Sequence, residues 1–259
     1  MTLQQALTNI AAHPSPLIIS DFDGTLAPLH DEPSAVRLPR EAVRVLETLA
    51  ASGAYTYVLS GRGFDDLRQR TGHVEGVTLL GSYGYERGPN SLCLSSAEVA
   101  QRSLLRNRVM KTLEFFRPAW MECKPLGAAI HLRLLSRTTQ NDCRAALVAS
   151  LAEFPELHIH HDVTTMEVAV RPYSKRAALS SIRLHHPEGP CVYAGDDASD
   201  EEALSSLRTP DCSIVVGERT SQAEYRVAYP TDLVNALAQL AVQRTHHATT
   251  QTTQSSPSS

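Results

Sequence analysis

Short apolar runs, each ending in polar or turn-forming residues, recur along the first third of the chain. Leu17-Ile18-Ile19 runs into Ser20-Asp21, Tyr55 to Leu59 into Ser60-Gly61-Arg62, and Val77 to Leu80 into Gly81-Ser82. Runs this short and this apolar read as buried parallel strands. Between them the period changes. Ala42, Leu46 and Leu49 fall at i, i+4 and i+7 within Pro39 to Ala51, and Gly53 stands at the expected C-terminal stop, which predicts a helix. Asp65 to Arg70 begins another. Strands alternating with helices predict a parallel sheet with helices on both faces.

The middle of the chain reads differently. Ala128 to Leu134 is compatible with a strand, Thr139 to Phe154 reads as a helix, and His158 to His161 and Met166 to Val170 read as strands again. Core-type segments return at Cys191-Val192-Tyr193-Ala194 and at Ser213 to Gly217. The expected organisation is an α/β core formed by residues 1–86 and 171–244, with an α+β insert at 87–170. The segment 245–259, HHATTQTTQSSPSS after Thr245, is Thr/Ser/Gln-rich and nearly free of apolar residues, and is expected to be disordered. The length of 259 residues suits either one large domain or a core carrying such an insert.

Composition narrows the partners. With 42% hydrophobic and 20% charged residues the chain is an ordinary soluble globular one. A net charge of -4 gives no overall pull toward nucleic acid or an anionic membrane. No stretch approaches about 20 apolar residues, and the first residues lack a basic region followed by a long apolar run. The five cysteines are scattered and form no CxxC pair, which fits thiols in a reducing compartment. The reading is a cytoplasmic protein with no nucleic-acid and no membrane partner. Its oligomeric state is left open, a monomer included.

Asp21-Phe22-Asp23-Gly24-Thr25 carries the chemistry. A bare DxD is an ordinary surface turn. Placed at the carboxyl end of a parallel strand, where α/β sheets hold ligands, the pair suits phosphoryl transfer. The first carboxylate can attack phosphorus, and the second can protonate the leaving oxygen and then activate water. Gly195-Asp196-Asp197-Ala198-Ser199-Asp200-Glu201 is a second acidic cluster after an apolar strand. A helix N-terminus accounts for Glu201 and Glu202, but not for Asp196 at a strand end. Four acids in so short a span repel one another without a cation. Mg²⁺ fits, with oxygens from Asp21 and Asp196 and the Asp23 carbonyl. Ser60 can hold a phosphoryl oxygen, and a lysine such as Lys175 can neutralise the transferring group. Alone, these last two are an ordinary loop and a solvated surface residue.

The order DxDGT, Ser, Lys, GDDxSDE resembles the haloacid dehalogenase superfamily. DFDGTLAPL, VLSGR, GSYGYE, ECKPLGAAIHLR, MEVAVRP and VYAGDDASDEEAL, spanning roughly Leu17 to Tyr225, resemble the trehalose-6-phosphate phosphatase family within it. The resemblance implies a Rossmann-like core of haloacid dehalogenase type with an α+β cap domain that sets substrate specificity, and Mg²⁺-dependent hydrolysis of a small-molecule sugar phosphate. It implies Asp21 as nucleophile, Asp23 as general acid and base, and Ser60 and Lys175 as phosphate binders. It also implies Asp196 as metal ligand, with Asp197 and Asp200 as supporting or ligating acids. Glu122 and Lys124 are implied as sugar contacts, with Arg62, Glu86, Arg133 and Glu167 as further substrate contacts. The chain departs from the family pattern at three places. Tyr83 stands where the family has His, the segment from Pro172 to Lys175 is shortened, and Arg176 replaces a Gly. Two alternatives stand beside this reading: a phosphatase for a sucrose- or glucosylglycerol-type phosphate, and a non-catalytic phosphosugar-binding regulator.

Overall fold

The computed structural model describes residues 1–30, 32–161 and 163–254, with side chains described as far as 246. The chain divides into two compact units, Met1–Pro89 together with the chain from Ser174 onward, and Asn90–Tyr173. The insert therefore begins and ends three residues later than the sequence suggests.

The first unit contains β1 (Leu17–Ser20), β2 (Tyr55–Leu59), β3 (Val77–Leu80), β8 (Cys191–Gly195), β9 (Cys212–Val216) and β10 (Tyr225–Val227). Its helices are α1 (Leu3–Ala11), α2 (Arg40–Ala51), α3 (Phe64–Thr71), α6 (Lys175–His185), α7 (Glu201–Leu204) and α8 (Pro230–Gln254). The sheet order is β10-β9-β8-β1-β2-β3, and every pair is parallel. Period-two alternation assigns the two faces. Ile18, Val58, Val192, Ala194 and Ile214 pack with α1, α2 and α8. Leu17, Ile19, Leu59, Leu80, Tyr193 and Val215 pack with α6 and α7. Because both faces are covered, β1 is buried at all four positions, and a continuous apolar run is what such a strand requires. Strand order reverses at β1. It pairs with β2 on one side and with β8 on the other, so Ser20 lies opposite Val58 and Ala194. The carboxyl ends of these three strands form the crevice where this architecture places ligands.

The second unit contains α4 (Ser96–Leu113), β4 (Trp120–Lys124), β5 (Gly127–His131), α5 (Arg137–Leu151), β6 (His158–His161) and β7 (Thr165–Ala169). The strands form an antiparallel sheet ordered β4-β5-β7-β6. Ala128, Ile130, Met166 and Val168 face a core closed by Leu105 and Val109 of α4 and by Cys143 and Leu147 of α5. The opposite face carries the polar residues.

Three expectations change. The strand expected over 128–134 ends at His131, because the chain turns toward α5 just after it, with the Leu132 carbonyl accepting the Leu135 N–H at 2.9 Å. Helix α4 has no expected counterpart, although Ser95 and Glu98 form a capping box that marks its start. The tail expected to be disordered from Thr245 is helical to Gln254, and residues 255–259 lie outside the described residues. Low apolar content argues against an independent core but not against extending a helix already anchored by Leu233, Leu237 and Leu240. Pro257 is the first helix breaker after Pro230.

Candidate active site

Four strand ends and one helix start assemble the site. Asp21 follows β1, Ser60 follows β2, Ser82 lies just past β3, Asp196 follows β8, and Lys175 opens α6. The Lys175 ammonium lies 2.9 Å from Asp21 Oδ1 and 2.8 Å from Asp200 Oδ1. The shortened segment before Lys175 thus still delivers its ammonium to Asp21. Asp200 is fully buried and also accepts the Tyr193 hydroxyl at 2.7 Å and the Asp197 backbone N–H at 3.1 Å. Asp196 accepts the Thr25 hydroxyl at 2.7 Å. Two glycines make room for these acids. A β-carbon on Gly24, whose φ is +75°, would lie 2.1 Å from Asp196 Oδ2, and one on Gly195 would lie 2.2 Å from Asp200 Cγ.

The charges do not balance within this group. Burial pushes the Asp21 carboxyl well above its usual range. Lys175 opposes this, and Asp200, Asp196 and Asp23 add to it. Burial also lifts Asp196 to about 6, against the Thr25 hydrogen bond and with help from Asp200. Burial alone would lower Lys175, but Asp200 and Asp21 raise it instead, so it remains an ammonium. The two partners of the Lys175–Asp21 pair move upward for different reasons: burial disfavours the Asp21 carboxylate, while the carboxylates of Asp200 and Asp21 favour the charged Lys175.

The remaining first-unit residues form a frame around Asp21. Arg62 grips Asp23 with a two-pronged fork, Nε to Oδ2 and Nη2 to Oδ1, both at 2.6 Å. It also donates to Asp66 at 2.7 Å and to the Pro33 carbonyl at 3.1 Å. Arg70 holds Asp66 from the other side. Arg62, expected at the substrate, is thus committed to its own unit by four of its five N–H groups. Ser60 is buried and its hydroxyl accepts the Arg62 backbone N–H at 3.1 Å. Glu86 accepts the Phe64 N–H at 3.1 Å and the Ser82 hydroxyl, so it braces the turn after β3. Ser82, Tyr83 and Gly84 in that turn have φ of 48°, 57° and 91°. The Tyr83 N–H bonds to the Ser60 carbonyl at 2.9 Å, and its ring lies so close to Gly61 that a β-carbon there would be 2.7 Å from Cζ.

In the second unit Glu122 and Lys124 sit on β4 with side chains on one face, and pair at 2.8 Å. Glu122 also meets His131 Nε2 at 3.0 Å. Burial works to raise the Glu122 carboxyl, but the His131 hydrogen bond and the Lys124 charge overcome it and hold it down to about 2. Glu167 on β7 lies opposite Ala129, which lies opposite Glu122, so both acids share a row across the sheet. Arg133 is exposed beyond the end of β5. Sequence reasoning missed Tyr193, although its place two residues before Gly195 puts it on the same face of β8. It also missed His131, whose pairing with Glu122 depends on a strand register that no local pattern reveals.

The donor set fits a hard divalent cation. Asp21, Asp196 and Asp200 each offer an oxygen within 4.8 Å of the others, and the upward shifts of Asp21 and Asp196 mark negative charge that a cation would neutralise. The Asp23 carboxylate is turned to Arg62. Asp197 is exposed, caps the short turn before α7 and pairs with Arg219 at 3.5 Å. Neither side chain joins the cluster.

The chain is 30% identical over 246 residues to an uncharacterized glycosyl hydrolase of Mycobacterium tuberculosis, covering 87% of this chain and 18% of that protein. It is 29% identical over 252 residues to the trehalose-phosphate phosphatase of Mycobacterium marinum, covering 89% of this chain and 62% of that one. It therefore spans less than two thirds of either relative. The fold matches the C-terminal domain of the Candida albicans trehalose-6-phosphate phosphatase with a TM-score of 0.79 at 18% identity, covering 93% of this chain and 97% of that domain. It also matches a haloalkanoate-superfamily phosphatase structure from Bacteroides thetaiotaomicron, with a TM-score of 0.57 at 12% identity, covering 88% and 95%. Among the described residues no helix is long and apolar enough to cross a membrane. The family model described as trehalose-phosphatase matches residues 19–231, and with that span, which contains every strand but the first two residues of β1, the chain belongs to the trehalose-phosphatase family.

Proposed function

We propose that the chain is a Mg²⁺-dependent phosphatase that hydrolyses trehalose 6-phosphate through an aspartyl-phosphate on Asp21. The observation that carries this reading is the Lys175 ammonium bridging Asp21 and Asp200, with Asp196 beside them, in a member of the trehalose-phosphatase family. The Asp21 carboxylate attacks phosphorus and the bond from phosphorus to the sugar oxygen breaks. The leaving oxygen takes a proton from the Asp23 carboxyl. Asp23, now a carboxylate, then takes a proton from water. The oxygen of that water attacks phosphorus, the aspartyl bond breaks, and Asp21 is restored as inorganic phosphate leaves. The Ser60 hydroxyl and Lys175 hold the phosphoryl oxygens. Asp21 and Asp196, with the Asp23 carbonyl, would hold Mg²⁺, which when bound would neutralise charge on the phosphoryl group.

We assign the first unit as the catalytic core and the second as the cap that reads the sugar, through Glu122, Lys124, Glu167 and Arg133. We place the protein in the cytoplasm, in keeping with five free thiols. One observation favours a second reading, a different sugar phosphate: Tyr83 occupies the turn beside Ser60 where the family has His. A non-catalytic regulator has no use for Asp21, Asp23 and Asp196 together. The test is phosphate release from trehalose 6-phosphate, sucrose 6-phosphate and glucosylglycerol phosphate, with Mg²⁺ and with excess chelator. Trehalose 6-phosphate is expected to be hydrolysed fastest, with activity lost on chelation and restored by Mg²⁺. Preference for another sugar supports the second reading, and undiminished activity in chelator overturns the metal assignment.

A further inference from the structure

The polar face of the second unit's sheet holds a histidine that the proposed chemistry does not use. His131 ends β5 and is buried, with its side chain 8% exposed. Its ring stacks on Trp120 of the neighbouring strand, with centroids 3.8 Å apart and planes 16° from parallel. The register places these two residues opposite each other, so the stack follows from the pairing of β4 with β5. The ring's polar atoms are distributed unevenly. Nε2 lies 3.0 Å from Glu122 Oε2, while Nδ1 is buried without a hydrogen-bond partner among the described residues. A carboxylate only accepts hydrogen bonds, so Nε2 is the donor.

A histidine present only to fill space beneath Trp120 gains nothing from an imidazole. A phenyl ring stacks as well and leaves no buried nitrogen unsatisfied. The single polar contact that accounts for the imidazole is Glu122. Glu122 has two oxygens, and each has one holder: Lys124 at Oε1 and His131 at Oε2. Lys124 is itself held from the main chain, because Arg106 of α4 donates to its carbonyl and, at 2.9 Å, to that of Gly127. The carboxylate is therefore fixed from both sides, with its remaining lone pairs left for a ligand.

We infer that His131 is a positioning residue for substrate recognition: clamped by Trp120, it orients the Glu122 carboxylate toward a sugar hydroxyl. This rests on the reading of Glu122 as a sugar contact. A carboxylate already held needs no further ordering when the hydroxyl arrives, and affinity gains by that avoided cost. Losing the Nε2 donor leaves Glu122 able to rotate away on Lys124 alone.

The test compares His131→Phe, His131→Gln and Glu122→Ala on trehalose 6-phosphate and on p-nitrophenyl phosphate. His131→Phe keeps the stack and removes the donor. His131→Gln keeps an N–H within reach of Glu122 and removes the ring. The expected result for His131→Phe is a KM for the sugar phosphate raised roughly tenfold, with kcat little changed and the aryl phosphate hydrolysed as before. His131→Gln should recover most of the loss, which a purely packing role would not allow. If Glu122→Ala weakens the sugar phosphate selectively while His131→Phe does not, the positioning role is overturned and the reading of Glu122 stands. If Glu122→Ala leaves the ratio of the two substrates unchanged, the sugar-contact reading fails and the inference with it. Equal losses on both substrates for His131→Phe also overturn it, since they report damage to the fold.

Discussion

Two small networks of acids and bases organise this molecule, and they are built from nearly the same residue types. In the first unit Asp21, Lys175 and Asp200 have side chains 6%, 3% and 0% exposed. In the second Glu122 and Lys124 are 36% and 21% exposed. A charge of the first kind has lost its water and depends on its partners, whereas a charge of the second kind still has water as an alternative. Under the proposed function the difference separates two demands. Moving a phosphoryl group needs charges whose effect is not diluted by solvent. Reading a sugar needs donors and acceptors that can exchange water for hydroxyls.

The sharpest way to break this comparison is Asp21→Asn. The amide is nearly isosteric but supplies no anionic oxygen, so turnover of every phosphate ester should fall by at least about 10³-fold. The circular dichroism spectrum should be unchanged. An active, folded variant would place the chemistry elsewhere. The next effect is on stability. Lys175→Met strands two buried carboxylates and should cost about 3–5 kcal/mol in urea unfolding of the metal-free protein. Lys124→Met in the exposed network should cost less than about 1 kcal/mol. Similar losses from both would erase the distinction between the networks.

Gly24→Ala tests the close approach beneath the acids. An alanine there would have φ of +75° and a β-carbon 2.1 Å from Asp196 Oδ2. Destabilisation by more than about 1 kcal/mol is expected, with weaker Mg²⁺ binding by isothermal titration as Asp196 shifts. The smallest effect is Glu122→Gln read against pH. The folded carboxyl is held down to about 2 from a reference of 4.5, so folding favours its ionised form. The stability it contributes is full above about pH 4.5 and is lost as pH falls toward 2. With solvent screening it stays within about 1 kcal/mol. The gap in urea midpoint between the two proteins should therefore close over that range. A gap that widened in acid would reverse the sign.

The first unit was legible in the sequence to a degree the second was not. Its strands are short apolar runs bounded by turns, a pattern that β1, β2 and β3 reproduce within a residue, and the candidate site lies at strand ends, where position along the chain becomes position in space. Helix α2 announced itself by Ala42, Leu46 and Leu49. Helix α4 did not, since its buried Leu105, Val109 and Leu113 are outnumbered by charged and exposed apolar neighbours, and only its capping box marks it. Contacts across strands were invisible for a different reason. Glu122 meets His131 because β4 and β5 pair in one register, and a shift of one residue would send either side chain to the opposite face. The grip of Arg62 on Asp23 spans 39 residues of sequence, and no local pattern anticipates it.

The central place of β1 also bears on how the chain is made. Its neighbours are β2, close behind it in sequence, and β8, which begins at Cys191. During vectorial synthesis the strand that presents Asp21 therefore waits with one edge unpaired while the whole of Asn90–Tyr173 emerges. The second unit needs only its own contiguous residues to complete its sheet. On the ribosome the later-made unit can finish before the earlier one, and the crevice beside Asp21 forms only once β8 has left the exit tunnel.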